Sequence, residues 1–409
     1  MAFSLNTARS HVHQSTLTQK ILFIDRRFGA TGGAQHYLDH LVLECIRNGY
    51  EAELAVNTHS NLAANYQLIS NQDAIVHHTP FGEQDAGVSA KWLSELIAIR
   101  KPDLIHVNSS CRELRQILVG VKNWNKIPCK RVFTMHLSVL SEKEYVGKRH
   151  WPWSYGAKTR QERKQFLAIF DRCISVSNEN CVKVSTYFKL PQEQITYIPN
   201  GVDVSKFVPK KRTVSDQIVV GCCARLSTQK RLDVLIRAVA KLANRNNIVL
   251  KLAGDGSQRE QLEVLANELG ISDRVEFLGS QNDVCSFLQS LDIFALTSDR
   301  EGLPYALLEA MATELPTVVT NVNEMPIVVR DGVDGFVIST DDVDACQEKI
   351  QILMSQPELR ARFGSSARRR VCEEYSQESC LQKTLNVFKN VLQDRSTPPV
   401  QHELQQSSH

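Results

Sequence analysis

One feature constrains this chain more than any other. Short apolar runs of four to six residues alternate with longer amphipathic segments, and the series is played through twice. Runs this short and this continuously apolar suit strands covered on both faces; the longer segments suit the helices that cover them. The first series has its runs at residues 21–25 (ILFID), 52–56, 74–77, 104–107, 131–135, 173–176 and 195–198. After the first run, Ala34, Leu38, Leu41, Val42, Cys45 and Ile46 keep the helical period, and Gly49 ends it. The second series has runs at 218–222, 248–253, 275–278, 293–296, 317–320 and 335–338, with helical stretches such as 232–243 and 305–313 between them. This is βαβ logic twice over. The expected fold class is α/β, with two doubly wound Rossmann-like domains facing a central cleft.

A length of 409 residues agrees with two domains. Residues 20–205 form the first and 206–375 the second, joined through a polar stretch at 203–216 that follows neither period. A last helical run, about 377–393, follows within residues 376–394. Residues 1–19 and 395–409 read as disordered tails.

Composition removes several function classes. Hydrophobic residues make up 42% and charged residues 23%, which supports buried cores. No stretch has the ~18 uncharged apolar residues of a membrane span, and residues 1–19 have no signal-peptide apolar core. The net charge of +3 is uneven: residues 1–205 hold 24 Lys and Arg against 18 Asp and Glu, residues 206–409 hold 24 against 27. A mildly basic first half suits an anionic partner or membrane surface but is too weak an argument for nucleic acid. Eleven cysteines without CxxC pairs read as reduced core thiols, hence a cytoplasmic setting.

Three loops after apolar runs could carry chemistry. In 298–312 (SDREGLPYALLEAMA), Gly302 permits a tight turn, Pro304 suits the first helical turn, Glu301 lies in the loop and Glu309 in the helix. Pro304 to Glu309 is about 7–8 Å along a helix axis, so the two carboxylates can hold two ends of an elongated polyhydroxyl ligand. Free N–H groups at Gly302, Leu303 and Tyr305 can donate to hydroxyls or anions. A capping acid plus a surface Glu fits the same spacing. In 221–233 (GCCARLSTQKRLD), Arg225 and Lys230 could meet a diphosphate leaving group, or be a solvated basic loop. In 28–35 (FGATGGAQ), Gly32 and Gly33 let backbone approach a phosphate, although an ordinary turn fits too. The next apolar run ends in Asn57 rather than an acid, which argues against NAD.

His136, after the run 131–135, could hydrogen-bond a sugar hydroxyl or be a structural histidine. Asn200 and Gly201 read as a turn. Asp342 and Asp344 resemble a DxD metal motif but open a helix, so a helix-start role fits better and no metal ligands are assigned. There is no HExxH, no Gly-rich Lys-Ser/Thr phosphate loop and no GxSxG elbow. Residues 142–164 hold seven Lys and Arg with Tyr145, Trp151, Trp153 and Tyr155, which suits an anionic membrane or a lipid-linked ligand, or an exposed loop.

Taken together, from about residue 21 to 393, these motifs resemble the retaining glycosyltransferases of family 4, the group-1 enzymes that include glycogen synthase and phosphatidylinositol mannosyltransferase types and have the GT-B fold. EGLPYALLEAMA (301–312) is similar to the family's two glutamates separated by seven residues. SVS (175–177), IPNGVD (198–203), RLSTQK (225–230), AGDGS (253–257) and VEFLG (275–279) occur in the family's order.

The resemblance implies transfer of a hexosyl group from a nucleotide-diphosphate sugar, a substrate rather than a cofactor, to a glycan or lipid-linked glycan. It further implies a first domain on the acceptor side and a second that binds the donor, with the C-terminal helix crossing back to the first. Glu309 would bind the ribose and Glu301 the transferred sugar. Backbone at Gly302, Leu303 and Pro304 would contact sugar and phosphate, and Arg225 and Lys230 would neutralise the diphosphate. Gly33 would bring the first domain's backbone to the phosphates, His136 would touch the sugar, and Gly254 in loop 254–257 would line the base or phosphate region. The leaving diphosphate would take the acceptor's proton while an oxocarbenium-like sugar forms on the same face, and no bound metal is needed. Two positions depart from the family: Arg231 stands where Gly is usual, crowding the phosphate loop or adding a cation, and Ala224 replaces another Gly. A nucleotide-sugar epimerase and a non-catalytic sugar-nucleotide or glycan-binding subunit are the alternatives. The expected location is cytoplasmic, peripheral at the inner membrane face.

Overall fold

The computed structural model describes residues 18–25, 33–57, 74–81, 84–108, 111–136, 153–210, 217–243 and 247–394. Most of the expected tails, residues 211–216 of the linker, Gly32 and residues 142–152 of the basic aromatic segment lie outside them.

The first sheet contains β1 (Lys20–Asp25), β2 (Glu51–Val56), β3 (Ile75–His78), β4 (Leu104–Val107), β5 (Lys130–Met135), β6 (Arg172–Ser175) and β7 (Ile195–Tyr197), in the order β3-β2-β1-β4-β5-β6-β7. The second contains β8 (Ile218–Cys223), β9 (Ile248–Ala253), β10 (Val275–Gly279), β11 (Ile293–Leu296), β12 (Thr317–Thr320) and β13 (Gly335–Ile338), in the order β10-β9-β8-β11-β12-β13. All pairings within both are parallel.

Parallel strands need helical crossovers on both faces, and the apolar runs follow from that. Ile21, Leu22, Phe23 and Ile24 of β1 are all fully buried. They divide between two clusters: Leu22 and Ile24 pack with Leu93, Leu114 and Phe133 on one face, Ile21 and Phe23 with Leu38, Leu41 and Val42 on the other. A separate cluster fills the second domain. The observed strands match the apolar runs to within a residue or two at each end.

Helix Gln377–Gln393 follows the second domain but buries Cys380, Leu381, Leu385, Phe388 and Val391 against the first domain's core. Its entry is fixed by backbone bonds from Val202 N to Tyr375 O (2.9 Å) and from Gln377 N to Val202 O (2.9 Å). The chain thus crosses between domains twice, side by side. Gly201 stands at this crossing, and a β-carbon there would lie 2.6 Å from Gln377 Cα. The simple turn expected at Asn200 and Gly201 is therefore also a close backbone crossing.

The strand orders place two switch points, β1 against β4 and β8 against β11, where neighbouring crossovers leave in opposite directions. Such points open crevices at the carboxyl ends of the strands.

Candidate active site

At the second domain's switch point, the loop after β8 meets the loop after β11. Their backbones are stitched together: Asp299 N donates to Gln229 O (2.9 Å), and Thr297 Oγ1 donates to Arg231 O (2.9 Å). This brings Lys230 to Glu301, where Lys230 Nζ donates to Glu301 Oε1 in an ion pair. Glu301 is buried, with Ser298 Oγ donating to the same oxygen at 2.7 Å and Asn323 Nδ2 donating to its backbone carbonyl. A carboxylate so held has a fixed direction.

Arg225 projects from the same loop and is exposed. The loop's path is set from beneath by Gly254, in the left-handed region at φ +130°, whose absent β-carbon would collide with the Ala224 carbonyl. Leu226 N donates to Asp255 O and Gln258 N to Leu226 O, completing the clamp. Gly254 thus shapes the loop that carries Arg225.

Arg231 does not add a free cation to this loop, one of the two outcomes expected of it. It adopts φ +45°, a conformation that favours glycine. Its guanidinium is committed to Asp233 (Nε to Oδ1, 3.1 Å) and to Asp341.

Helix Tyr305–Ala312 starts at the same loop, and Pro304 is its N-cap in extended conformation rather than its first turn. Leu303 is buried, and its carbonyl accepts from Asn200 Nδ2 at 2.7 Å. Glu309, one turn in, is mostly buried. It lines a small hollow shared with His36, His40, Asp203, Lys206 and Tyr305. Burial raises its carboxyl to about 7, opposed by the Lys206 ammonium. Burial also lowers His36 and His40, the latter to about 4. Glu309 is thus grouped with Lys206 at the hinge rather than directly with Lys230. Cys223, its thiol pushed up to about 12 by burial, is within electrostatic reach of both Glu309 and Lys230.

The first domain faces this loop with its own switch point. Gly33 begins helix Gly33–Arg47, and a β-carbon on it would lie 2.6 Å from Tyr305 Cδ2. His136 follows β5, and its backbone carbonyl presses against Gly302 so closely that a β-carbon there would overlap it. The imidazole is neutral, burial holding it down to about 3, and packs edge-on to Tyr37 with ring centres 4.9 Å apart.

The structure therefore brings Lys230, Glu301, Gly302, Leu303 and Pro304 together, and sets His136 and Gly33 across from them. Asp342 caps helix Val343–Ser355 by accepting from Ala345 N (2.8 Å), and Asp344 pairs with Lys241.

Sequence reasoning missed four contributors. Asp25 and Asn108 end β1 and follow β4 at the first switch point, a position that the strand runs alone could have flagged. Lys206 and Glu324 left no signal, because each acts across a domain boundary. Glu324 is fully buried, and its carboxylate receives Asn178 N (2.7 Å), Glu179 N (3.3 Å) and Tyr197 Oη–H (3.1 Å) from the first domain.

Known proteins agree with this architecture. Residues 203–370 match the family described as Glycosyl transferases group 1, and residues 31–206 match Glycosyltransferase Family 4. A protein of Bacillus subtilis named as putative glycosyltransferase EpsD is 30% identical over 335 residues, 78% of this chain and 84% of that one. The chain belongs to the group-1 glycosyltransferases.

Other members differ in reach. An Escherichia coli UDP-Gal:alpha-D-GlcNAc-diphosphoundecaprenol alpha-1,3-galactosyltransferase is 30% identical over 281 residues, 62% of this chain and 66% of that one. Against three further curated relatives, the match spans 43% to 62% of their own length. Among solved structures, Anabaena Alr3699/HepE in complex with UDP-glucose superposes with a TM-score of 0.74 at 21% identity, covering 91% of this chain and 99% of that one. This places the chain in the GT-B fold of two facing parallel-sheet domains.

Proposed function

We propose that this protein transfers a hexosyl group, with retention of configuration, from a nucleoside-diphosphate sugar to a glycan or lipid-linked glycan. The observation that carries the reading is the Lys230–Glu301 pair at one switch point, set opposite His136 and Gly33 at the other. Membership of the family supports it, as do the relatives' names: one acts on a diphosphoundecaprenol-linked acceptor, and another was solved with UDP-glucose.

In this reading Glu301 orients the sugar, and the start of helix Tyr305–Ala312 together with Lys230 and Arg225 meets the diphosphate. Charge developing on the leaving group faces cations and backbone donors already in place, an arrangement worth several kcal/mol of barrier. Glu309 accepts from the ribose hydroxyls in its ionised form. The departing diphosphate oxygen takes the proton of the attacking hydroxyl, so the protein's task is positioning rather than nucleophilic attack.

No helix among the described residues is long and apolar enough to cross a membrane. The basic aromatic segment 142–164 supports peripheral binding to an anionic surface from the cytoplasm. Sedimentation with anionic liposomes should fall when Lys148, Arg149, Trp151 and Trp153 are replaced; equal sedimentation removes that part.

The test of the reaction is product analysis with a sugar-nucleotide panel, with and without lipid-linked acceptors. Transfer with retained anomeric configuration is the expected result. Conversion of donor without acceptor would indicate an epimerase, and binding without turnover a non-catalytic subunit.

A further inference from the structure

The loop after β12 makes one link out of two adjacent side chains. Asn323 stands at φ +46°, in the left-handed region that asparagine tolerates better than most residues. Its Nδ2 donates to the backbone carbonyl of Glu301. The next side chain reaches the other domain. Among the described residues, the donors to the Glu324 carboxylate are Asn178 N, Glu179 N and Tyr197 Oη–H, all from the first domain.

Both ends of this link are firm. On the second-domain side, Thr320 Oγ1 donates to Ser298 O at 2.6 Å. Segment 320–324 therefore also pins the residue whose hydroxyl meets Glu301 Oε1. Met325 and Val328, just beyond it, are fully buried in that domain's core. On the first-domain side, Asn178 and Glu179 open helix Asn178–Phe188, whose positive end suits an ionised carboxylate. Tyr197 ends β7.

The domains do not need this link to stay together, because helix Gln377–Gln393 already buries an apolar face against the first core. The contact between Gly302 and the His136 carbonyl limits approach by repulsion and sets no direction. Asn323 and Glu324 supply directional bonds, and these run from the first domain to Glu301.

We propose that Asn323 and Glu324 are positioning residues that hold the Glu301 loop at a fixed distance and angle from the first domain, and so align the donor sugar with the acceptor side of the cleft. This rests on the donor reading above, in which Glu301 orients the sugar. Both residues act through Glu301. Nucleotide binding falls to Arg225, Lys230 and Glu309 and is independent of the link, whereas transfer depends on it. A misplacement of about 1 Å at a reacting centre can cost on the order of 10²-fold in rate.

The test has two arms, both on the full chain. In the first, amide hydrogen exchange without ligand compares the wild type with Asn323→Gly, Glu324→Ala and Tyr197→Phe. Glycine keeps the positive φ and loses the amide, and Tyr197→Phe alters the link from the first domain alone. Exchange across residues 299–304 should be about tenfold faster in the first two variants and measurably faster in Tyr197→Phe, with the β8 and β9 amides unchanged. Unchanged exchange at 299–304 in Asn323→Gly overturns the proposal, even if Glu324→Ala does not fold.

In the second arm, calorimetry measures UDP and GDP binding, and donor turnover is followed for UDP-glucose, UDP-galactose and GDP-mannose with and without lipid-linked acceptors. In Asn323→Gly and Glu324→Ala, kcat should fall about tenfold or more while nucleotide affinity and donor KM stay within about twofold of the wild type. Glu324→Gln keeps an oxygen that can accept from the helix start and should recover most of the loss. Unchanged kcat, or equal losses of kcat and nucleotide affinity, overturns the alignment. No binding or turnover by the wild type overturns the donor reading and the alignment with it, while the link to the Glu301 loop stands or falls on the exchange.

Discussion

Gly302 and the backbone carbonyl of His136 belong to different domains, yet they are packed so closely that Gly302 has no room for a β-carbon. The cleft is held shut at the point where the two switch points meet. Gly302→Ala should hold the domains apart while leaving each core intact. A displacement of about 1 Å at a reacting centre can cost on the order of 10²-fold in rate. The expected result is a comparable loss in kcat/KM with a larger radius of gyration in X-ray scattering and an unchanged circular dichroism spectrum. Normal turnover would show that this contact is incidental.

The Lys230–Glu301 pair is buried, its side chains 17% and 7% exposed. Lys230→Met leaves the carboxylate with Ser298 as its side-chain donor, at an expected cost of about 1–3 kcal/mol in unfolding free energy. Adding Glu301→Gln should return most of that stability, because replacing a buried pair can be close to neutral. It should not return turnover. Chemical denaturation and initial rates on the same samples separate the two; recovery of both would make the pair purely structural.

Glu309 gives a pH dependence of definite sign. Its folded carboxyl titrates near 7, above its ordinary 4.5, so the folded state holds the proton more tightly than the unfolded chain. Its contribution is present below the unfolded value and is lost as pH rises through about 7. Glu309→Gln should therefore raise stability at pH 8 relative to pH 5, by on the order of 2–3 kcal/mol. Ribose binding needs the ionised form, so donor affinity should improve as pH passes about 7. Lys206 holds Glu309 down, so Lys206→Met should move that inflection upward. A flat affinity profile between pH 6 and 8 contradicts the assignment.

Glu324 joins the domains at a second place by capping helix Asn178–Phe188 from the opposite domain. Glu324→Ala should uncover those backbone donors and the Tyr197 hydroxyl, with an expected loss of about 1–3 kcal/mol and a lower Tm. Tyr197→Phe should cost less, since it removes one of the three donors. An unaltered Tm in Glu324→Ala would mean that water replaces the carboxylate without penalty.

The sequence made the two sheets readable because parallel strands must be apolar on both faces, and β1, β4, β8 and β11 are. The strand order then puts Lys230 and Glu301 on adjacent loops, so their pairing was implicit once both loops were suspected. At Arg231 the left-handed φ explains why a glycine suits the position, but the guanidinium is held by Asp233 and by Asp341, the latter 110 residues away in sequence. Lys206 and Glu324 could not be read, since each matters through a partner distant in sequence, whereas Asn108 follows β4 at a switch point that the strand runs mark. The grouping of Glu309 with the hinge likewise depends on how the two domains meet.

The most direct measurement is equilibrium binding of UDP-glucose, UDP-galactose and GDP-mannose to the wild type and to Arg225→Ala, Lys230→Ala and Glu309→Ala. The proposed function requires that at least one donor binds the wild type, and that each substitution weakens it about tenfold or more. Full affinity retained in all three variants, or no binding to the wild type at all, would contradict it.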